Sequence, residues 1–481
     1  KKETISYKNA WLKVYDVPIV YFPKFSHPDP SVKRKSGFLS PSFFNSSSHG
    51  LSLDIPYYLV LSDNKDLTFK PRLFFQDQAI FQSEYRQVNK NSKHIVDLGI
   101  NTDGYFGDSH NKSHFFSNSK FDIPMNTFET SAFELNLEKT TNDTYLKAYD
   151  IDSSLIDNDT LLNSYLSFNG ENENFSLETS LEIWEDLSKN TSDRHEFIYP
   201  NYKMLRKFNL ENNSLIFSSY GYQKKYDTNT YEGIVTNDLL YENDSKISDW
   251  GFKNDFKALI KNVNTDSTNS SKYKNSFDQS LLSSILFSGE YPLKKSNTNY
   301  DSNLTPKFSI MYSPNKTKNM RKDDKRIDIS NIYAFNRIGA SDTVEGGASI
   351  TLGTEYKKTN KDNYDDLINF NVATVIRNKR NDALPDSTTL GNKQSDIFGD
   401  IKFKPNKYFN IGYNFALDND FNRTNYDSIN TSFSVNNFIT TFEYIDDKKN
   451  QNYMTNNTSF NLSDNNSVGF NLRRNKKTNA T

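Results

Sequence analysis

Three groups of residues have types and spacings from which chemistry could be built. His110 and His114, in HNKSH, stand four apart, the spacing at which one helix face presents two imidazoles to zinc. They lie in a polar stretch without helical periodicity or an accompanying glutamate, so the expectation is a solvated loop. Asp150, Asp152, Asp157 and Asp159 gather carboxylates as a hard cation requires, but without the glycine and the glutamate of a calcium loop. A solvated turn is the better reading. His27 and Asp29, in SHPDP, place an imidazole beside an acid, yet the prolines around them describe a rigid connector. No G-x-S-x-G elbow and no G-x-x-x-x-G-K-[ST] phosphate loop occurs. With no cysteine in the chain, it can carry neither thiol catalysis nor Cys-ligated zinc. The sequence therefore reads as a non-enzyme that calls for no cofactor and no metal.

The elements that would position any site are strands. In YFNIGYNFAL, Phe409, Ile411, Tyr413, Phe415 and Leu417 fall on one face and Asn410, Gly412, Asn414 and Ala416 on the other. Leu67, Phe69, Pro71, Leu73 and Phe75 likewise oppose Thr68, Lys70, Arg72 and Gln76, with Phe74 the exception. Such segments recur from about residue 37 to the end. Polar stretches such as NKTKNMRKDDKR and KNVNTDSTNSSKYKNS separate them, and tight connections are expected around Lys404 to Lys407 and Asn436 to Phe438. With a tilted spanning strand taking about 9 to 11 residues, residues 37–481 would supply about 20 to 24 strands. No helix-period stretch and no fixed repeat competes with this reading.

Composition narrows the class. Of 481 residues only 35% are hydrophobic, yet 37 are Phe and 29 Tyr, and mean hydropathy is −0.78. No run approaches the roughly 18 to 20 apolar residues of a spanning helix, and the aromatic load is too high for a solvating coil. Lys and Arg total 58 against 60 Asp and Glu, a net charge of −2, which argues against a nucleic-acid partner. The N-terminal KKETISYKNAWLKV has no apolar export segment, so the protein is cytosolic or this chain starts after its signal. Two classes remain: a large soluble β protein, including a secreted structural or adhesive sandwich array, and a transmembrane β-barrel. Periodicity alone does not tell the inside from the outside. The barrel is favoured by Phe and Tyr near strand ends, and because a soluble core of this length should split at visible linkers.

The first ninety residues are the most informative. Pro18, Pro23, Pro28 and Pro30 punctuate VPIVYFPKFSHPDPS, and the chain there should be extended but poorly paired. Pro41 and Pro56 then fall inside or beside the first two strand-like segments, GFLSPSFF and GLSLDIPYYLVL. Proline cannot donate to a ladder, so two neighbouring strands carry a weak seam, and in a closed barrel a weak seam is a candidate opening.

These residues also carry a family resemblance. VPIVYFPKF, KRKSGFLSPSF, a Ser-rich turn with Gly50, LDIPYYLVLSDNKDLTFKPRLFF and EYR at Glu84 to Arg86 occur in order, and the run resembles the start of the barrel in the lipopolysaccharide-assembly outer-membrane family (LptD, or OstA). LTPKFSIMYSPN followed by IYAFNRIGASDTVEGGASITLGTEY resembles that family's internal segment, with an Asn-Arg, an Asp and a Gly-rich turn into a strand. The resemblance implies an all-β fold: a periplasmic jellyroll fused to a large antiparallel transmembrane β-barrel. It implies passage of lipopolysaccharide through the lumen and sideways into the outer leaflet between the first and last strands, with Pro41 and Pro56 at that lateral gate. It implies a plug lipoprotein (LptE-like), a periplasmic bridge protein (LptA-like) and outer-membrane lipid as partners, and a Gram-negative outer-membrane location. On this reading residues 1–35 are the end of the jellyroll and its linker, marked by Pro18, Pro23, Pro28 and Pro30. Residues 36–481 are the barrel, which lacks its last strands and need not close. The family's disulfide-forming cysteines would lie in the absent regions. A general porin or nutrient-transport barrel is the alternative within the membrane class.

Overall fold

In the computed structural model, residues 4–14, 17–28, 34–46, 49–75, 78–103, 111–447, 451–463 and 466–475 are described. The alternating segments are strands, and the described residues include one helix, the four-residue Tyr145–Ala148. From Gly37 to Asn475, 27 strand segments follow one another in a single antiparallel order, the architecture of a large β-barrel. Four passes of the chain are each broken in two, as where Gly37–Phe38 is followed by Ser42–Ser46 and Gly50–Asp54 by Tyr57–Ser62. The others are Thr230–Asn243 with Lys246–Ile247 and Asp278–Glu290 with Leu293–Ser296. The 27 segments thus make 23 passes among the described residues, within the expected 20 to 24.

Connections alternate between tight and long. The tight ones include Glu173–Asn174 and Asn436–Asn437, where Asn436 takes a left-handed φ of 50°. The long ones span residues 141–160, 314–346 and 378–396. The tight turn expected at Lys404 to Lys407 falls slightly later, because the strand Ile397–Asn406 runs on to pair Asn406 with Phe409. Within KNVNTDSTNSSKYKNS, residues read as connection are strand as far as Thr268. Lys261, Val263, Thr265 and Ser267 there occupy one buried face, so a strand can look like a polar loop when its inward positions are hydrophilic.

Burial decides which way the alternation faces. In Lys65–Phe74, Asp66 and Thr68 are 8% and 5% exposed, while Phe69 and Leu73 are 38% and 43% exposed. In Tyr300–Ser313, Ser309 and Ser313 are buried whereas Ile310 and Tyr312 are exposed. A sandwich turns its apolar face to a core. This sheet turns it outward, as strands surrounded by hydrocarbon must, and the secreted sandwich array is set aside on that ground. Trp250 (66% exposed) and Trp184, whose Nε1 donates to Glu182 at 2.9 Å, then stand in different surroundings. In single-tryptophan variants reconstituted into bilayers, lipid-borne quenchers should quench Trp250 more strongly than Trp184. Equal quenching would place the two rings in one environment.

The proline-rich N-terminal stretch departs from expectation. It is extended, but Val17–Pro28 is paired with Thr4–Val14 in a separate two-stranded antiparallel sheet rather than left poorly paired. The ladder absorbs its prolines at irregularities. The register passes from Lys8↔Lys24 to Ala10↔Phe22, skipping Asn9, whose φ is 52°, and Pro23; near Pro18 it shifts between Leu12 and Lys13. A missing donor is tolerable where the ladder is already interrupted.

The chain divides into two compact units: Lys1–Leu205, Tyr220–Ile234 and Thr265–Phe277 form one, and Arg206–Ser219, Val235–Asn264 and Asp278–Thr481 the other. Each has its own buried apolar cluster under a long connection. In the first, Tyr145, Leu146, Tyr149 and Ile151 pack on Ile80, Phe116, Leu162 and Leu187. In the second, Met320, Ile327, Ile332 and Ile338 pack with Val375, Leu390 and Phe398.

Candidate functional site

The first hairpin is interrupted at one level in both arms. Phe38 pairs with Tyr57 and Ser42 with Asp54, so residues 39–41, ending in Pro41, oppose Ile55 and Pro56. Leu39 N–H donates to the Pro56 carbonyl at 2.9 Å. Antiparallel residues that face each other in this way ordinarily exchange two bonds, and Pro56 cannot return the second. The neighbouring strand repeats the defect: Ile55 N–H donates to the Pro71 carbonyl at 3.1 Å, and Pro71 has no N–H to give back. Three prolines from three consecutive passes thus weaken one stretch of sheet.

Ionic clamps hold the sheet on both sides of this level. Toward the tight turn, the buried Asp66 carboxylate accepts from Arg34, from Arg86 at 2.7 Å and from the Tyr58 hydroxyl at 3.3 Å; Arg34 also donates to the Asp63 carbonyl at 2.8 Å. Toward the other end, Arg72 grips Asp54 with two nitrogens, at 2.8 and 3.2 Å. Its third nitrogen donates to the Tyr149 carbonyl, and its guanidinium lies 5.0 Å from the centre of the Phe44 ring. The connection 141–160 is tied down further by Gln82, which donates to the Asp97 carboxylate at 2.8 Å and to the Asp152 carbonyl at 2.9 Å. His114 stacks on Phe116 and reaches Asp97 at 3.4 Å and the Tyr145 hydroxyl at 3.3 Å.

In the second unit, the connection 314–346 closes on a buried charge cluster. Arg337 donates to both oxygens of Glu345, at 2.7 and 2.6 Å, and to Ser349, Thr351 and the Ile332 carbonyl. Arg377, on the strand Asp366–Arg377, also donates to Glu345 and to the Gly346 carbonyl. Burial pushes the Glu345 carboxyl up, but the two guanidiniums outweigh it and hold the group below the usual carboxylate range. Asn336 and Ala340 exchange two bonds across the turn that carries Gly339 at φ 59°. Lys318 pairs with Asp342 at 2.7 Å. A cavity of about 890 Å³ lies in this unit, with Arg326, Asp328, Asp396, Asp400, Arg423 and Tyr426 in its wall.

Of the residues singled out in the sequence, Pro41 and Pro56 are brought to one level of the hairpin. Pro18, Pro23 and Pro28 lie in the separate two-stranded sheet; Pro30, with Asp29 and His110, lies outside the described residues. His114 is buried on the strand Ser113–Asp122, a correction to the solvated loop expected for it. It was misread because the alternation begins at that residue, directly after a polar run. Asp150, Asp152, Asp157 and Asp159 are all exposed, and no group of three potential metal ligands occurs among the described residues. Sequence reasoning missed Pro71 and Arg72. Both were counted as members of alternating faces, and the signal that distinguishes them is the spacing of about fifteen residues that sets Pro41, Pro56 and Pro71 on successive passes.

An all-β meander whose exposed positions are apolar and whose inward positions are polar, with long connections folded against the polar face, defines a large β-barrel of the outer-membrane kind. Residues 110–476 match the family described as LptD, LPS transport system D, and the chain belongs to that family. The LPS-assembly protein LptD of Francisella tularensis subsp. holarctica (strain OSU18) is 35% identical over 83 residues, 17% of this chain and 9% of that protein. That of Pseudoalteromonas translucida is 36% identical over 90 residues, 19% and 12% of the two chains. That of Idiomarina loihiensis is 28% identical over 189 residues, 38% and 24%. The alignments thus span between about a tenth and a quarter of these relatives.

Proposed function

We propose that the protein carries lipopolysaccharide to the outer leaflet of the Gram-negative outer membrane, through the barrel and out sideways between the first and last strands, beside the proline-broken hairpin. The observation that carries this reading is the coincidence of Pro41, Pro56 and Pro71 at one level, where two pairs of residues keep only half of their hydrogen bonds. A glycolipid needs two unlike routes. The apolar outer face offers its acyl chains a lateral way into lipid, and the polar inner face offers its glycan a wet passage. Residues 1–35 are read as the end of a periplasmic jellyroll with its linker, and residues 36–481 as the barrel. An LptA-like bridge protein would deliver the lipid and an LptE-like lipoprotein would occupy the lumen. No step requires a reaction, and energy is supplied upstream.

A photocrosslinking amino acid at Leu39, which is 47% exposed beside the break, tests the reading. In the full-length protein in its membrane, lipopolysaccharide should be captured at Leu39 and not at Leu281, an outward residue of the strand Asp278–Glu290 that is 68% exposed. A porin would capture bulk lipid equally at both. That result would remove the translocation reading.

A further inference from the structure

We infer that Arg72 is a positioning residue that latches the connection 141–160 onto the proline-broken hairpin, so that this connection holds the weak seam shut. The inference rests on the reading of that hairpin as the lipid exit, and it names the part that controls it. Arg72 sits next to Pro71 and directly across the register from Asp54, which is two residues from Pro56. Its guanidinium touches three separate pieces of chain: the Asp54 carboxylate on one hairpin arm, the Phe44 ring on the other and the Tyr149 carbonyl in the connection.

The connection is well placed to act as a strap. Tyr145 and Leu146 are fully buried, and Tyr149 and Ile151 are nearly so, against Ile80, Phe116, Leu162 and Leu187. Gln82 ties its Asp152 carbonyl, and Ser154 reaches Glu84 at 3.3 Å. It is therefore fixed to the strands beyond the seam, and it meets the hairpin at Arg72 and at the hairpin turn, where the His49 ring lies 4.3 Å from that of Tyr149. A guanidinium suits the task because its planar fork satisfies a carboxylate bidentately and still has a donor for a carbonyl; lysine, a point charge, does not hold both in fixed geometry. Competition for Arg72 gives the latch a chemical handle. An anionic group entering from the inner face would draw the guanidinium from the neutral carbonyl, and phosphate is the anion that best fits its fork.

The test uses the full-length protein in lipid nanodiscs, comparing wild type, Arg72→Lys, and the exchanged pair Arg72→Asp with Asp54→Arg. Amide hydrogen exchange is followed at Leu39 and Ile55 in the hairpin and across residues 145–152 in the connection. The crosslinker at Leu39 reports lipopolysaccharide capture. Arg72→Lys should speed exchange at both places together by about tenfold, the effect of losing charge-assisted hydrogen bonds, and should raise capture at Leu39. The exchanged pair restores the ion pair across the strands but not the donor to Tyr149. It should leave residues 145–152 fast and the hairpin unprotected, whereas a merely structural ion pair would be rescued. Rescue of both segments by the exchanged pair overturns the latch, as does a freed connection with the hairpin and lipid capture unchanged. Absence of capture at Leu39 in the wild type instead removes the exit reading, and with it the function of the latch.

Discussion

Replacing Glu345 with alanine is expected to destabilise the protein by about 3 to 5 kcal/mol, because it strands two buried guanidiniums without a counter-charge. Arg337 and Arg377 are as buried as the carboxylate they share, so neither can turn to water without lifting the connection 314–346 from Phe398 and Val375. Urea titration in detergent micelles measures the loss. The exposed pair Arg380–Asp382 serves as the control and should cost less than about 1 kcal/mol when broken. The pH dependence has a defined sign. Since the folded protein holds the Glu345 carboxyl below its usual range, its stabilising contribution is complete at and above that range. It is lost as pH falls through the lowered folded value. Glu345→Gln should therefore flatten the acid limb of the stability profile while lowering stability at neutral pH. A Glu345→Ala protein as resistant to urea as the wild type would mean that the cluster adds nothing to stability.

Restoring donors to the seam should have the opposite consequence and act on transport rather than folding. In Pro56→Ala the new N–H has a waiting acceptor in the Leu39 carbonyl, and in Pro71→Ala in the Ile55 carbonyl, because each proline occupies half of a pair whose other bond is already formed. Each added bond contributes about 0.5 to 1.5 kcal/mol. The double variant should then shift the opening of the hairpin by about 1 to 3 kcal/mol, roughly 5- to 150-fold in population. Delivery of lipopolysaccharide to the cell surface, followed by pulse labelling, should slow accordingly, and exchange at Leu39 and Ile55 should slow with it. Adding Pro41→Ala should extend the effect. Delivery that stays at wild-type rate while those amides become protected would separate the seam from the transport step.

How far the sequence carried these arguments differs from residue to residue. Strand identity was legible wherever apolar and polar residues alternated, as from Phe409 to Leu417, because the side-chain period of a strand is two whatever surrounds it. It failed from Lys261 to Thr268, where inward positions are hydrophilic and the contrast between faces fades. Which face looked outward was not legible at all, since alternation is symmetric and only burial breaks the symmetry. Pro41 and Pro56 stood out because proline has one backbone consequence in any setting. Arg72, Arg337 and Glu345 did not. Arg72 meets Tyr149 across 77 residues and Arg377 meets Glu345 across 32, distances over which a single sequence records no partner. The Asn-Arg and Gly-rich motif did point to the right segment, and its Arg337 is one of the two arginines that share the buried Glu345.

The outward apolar face has a bearing on how such a chain travels. Its lipophilicity is latent. Stretched out, Leu67 sits between Asp66 and Thr68, and Leu135 between Glu134 and Asn136, so no segment is greasy enough to lodge in a bilayer as a helix. Only pairing into strands sorts the alternate residues to one side and creates a surface that water rejects. The polypeptide can thus cross an aqueous space as a water-compatible thread and become a membrane solute where it folds. Folding before it reaches lipid would expose that whole surface to other copies of itself, so the order of folding and arrival decides between insertion and aggregation.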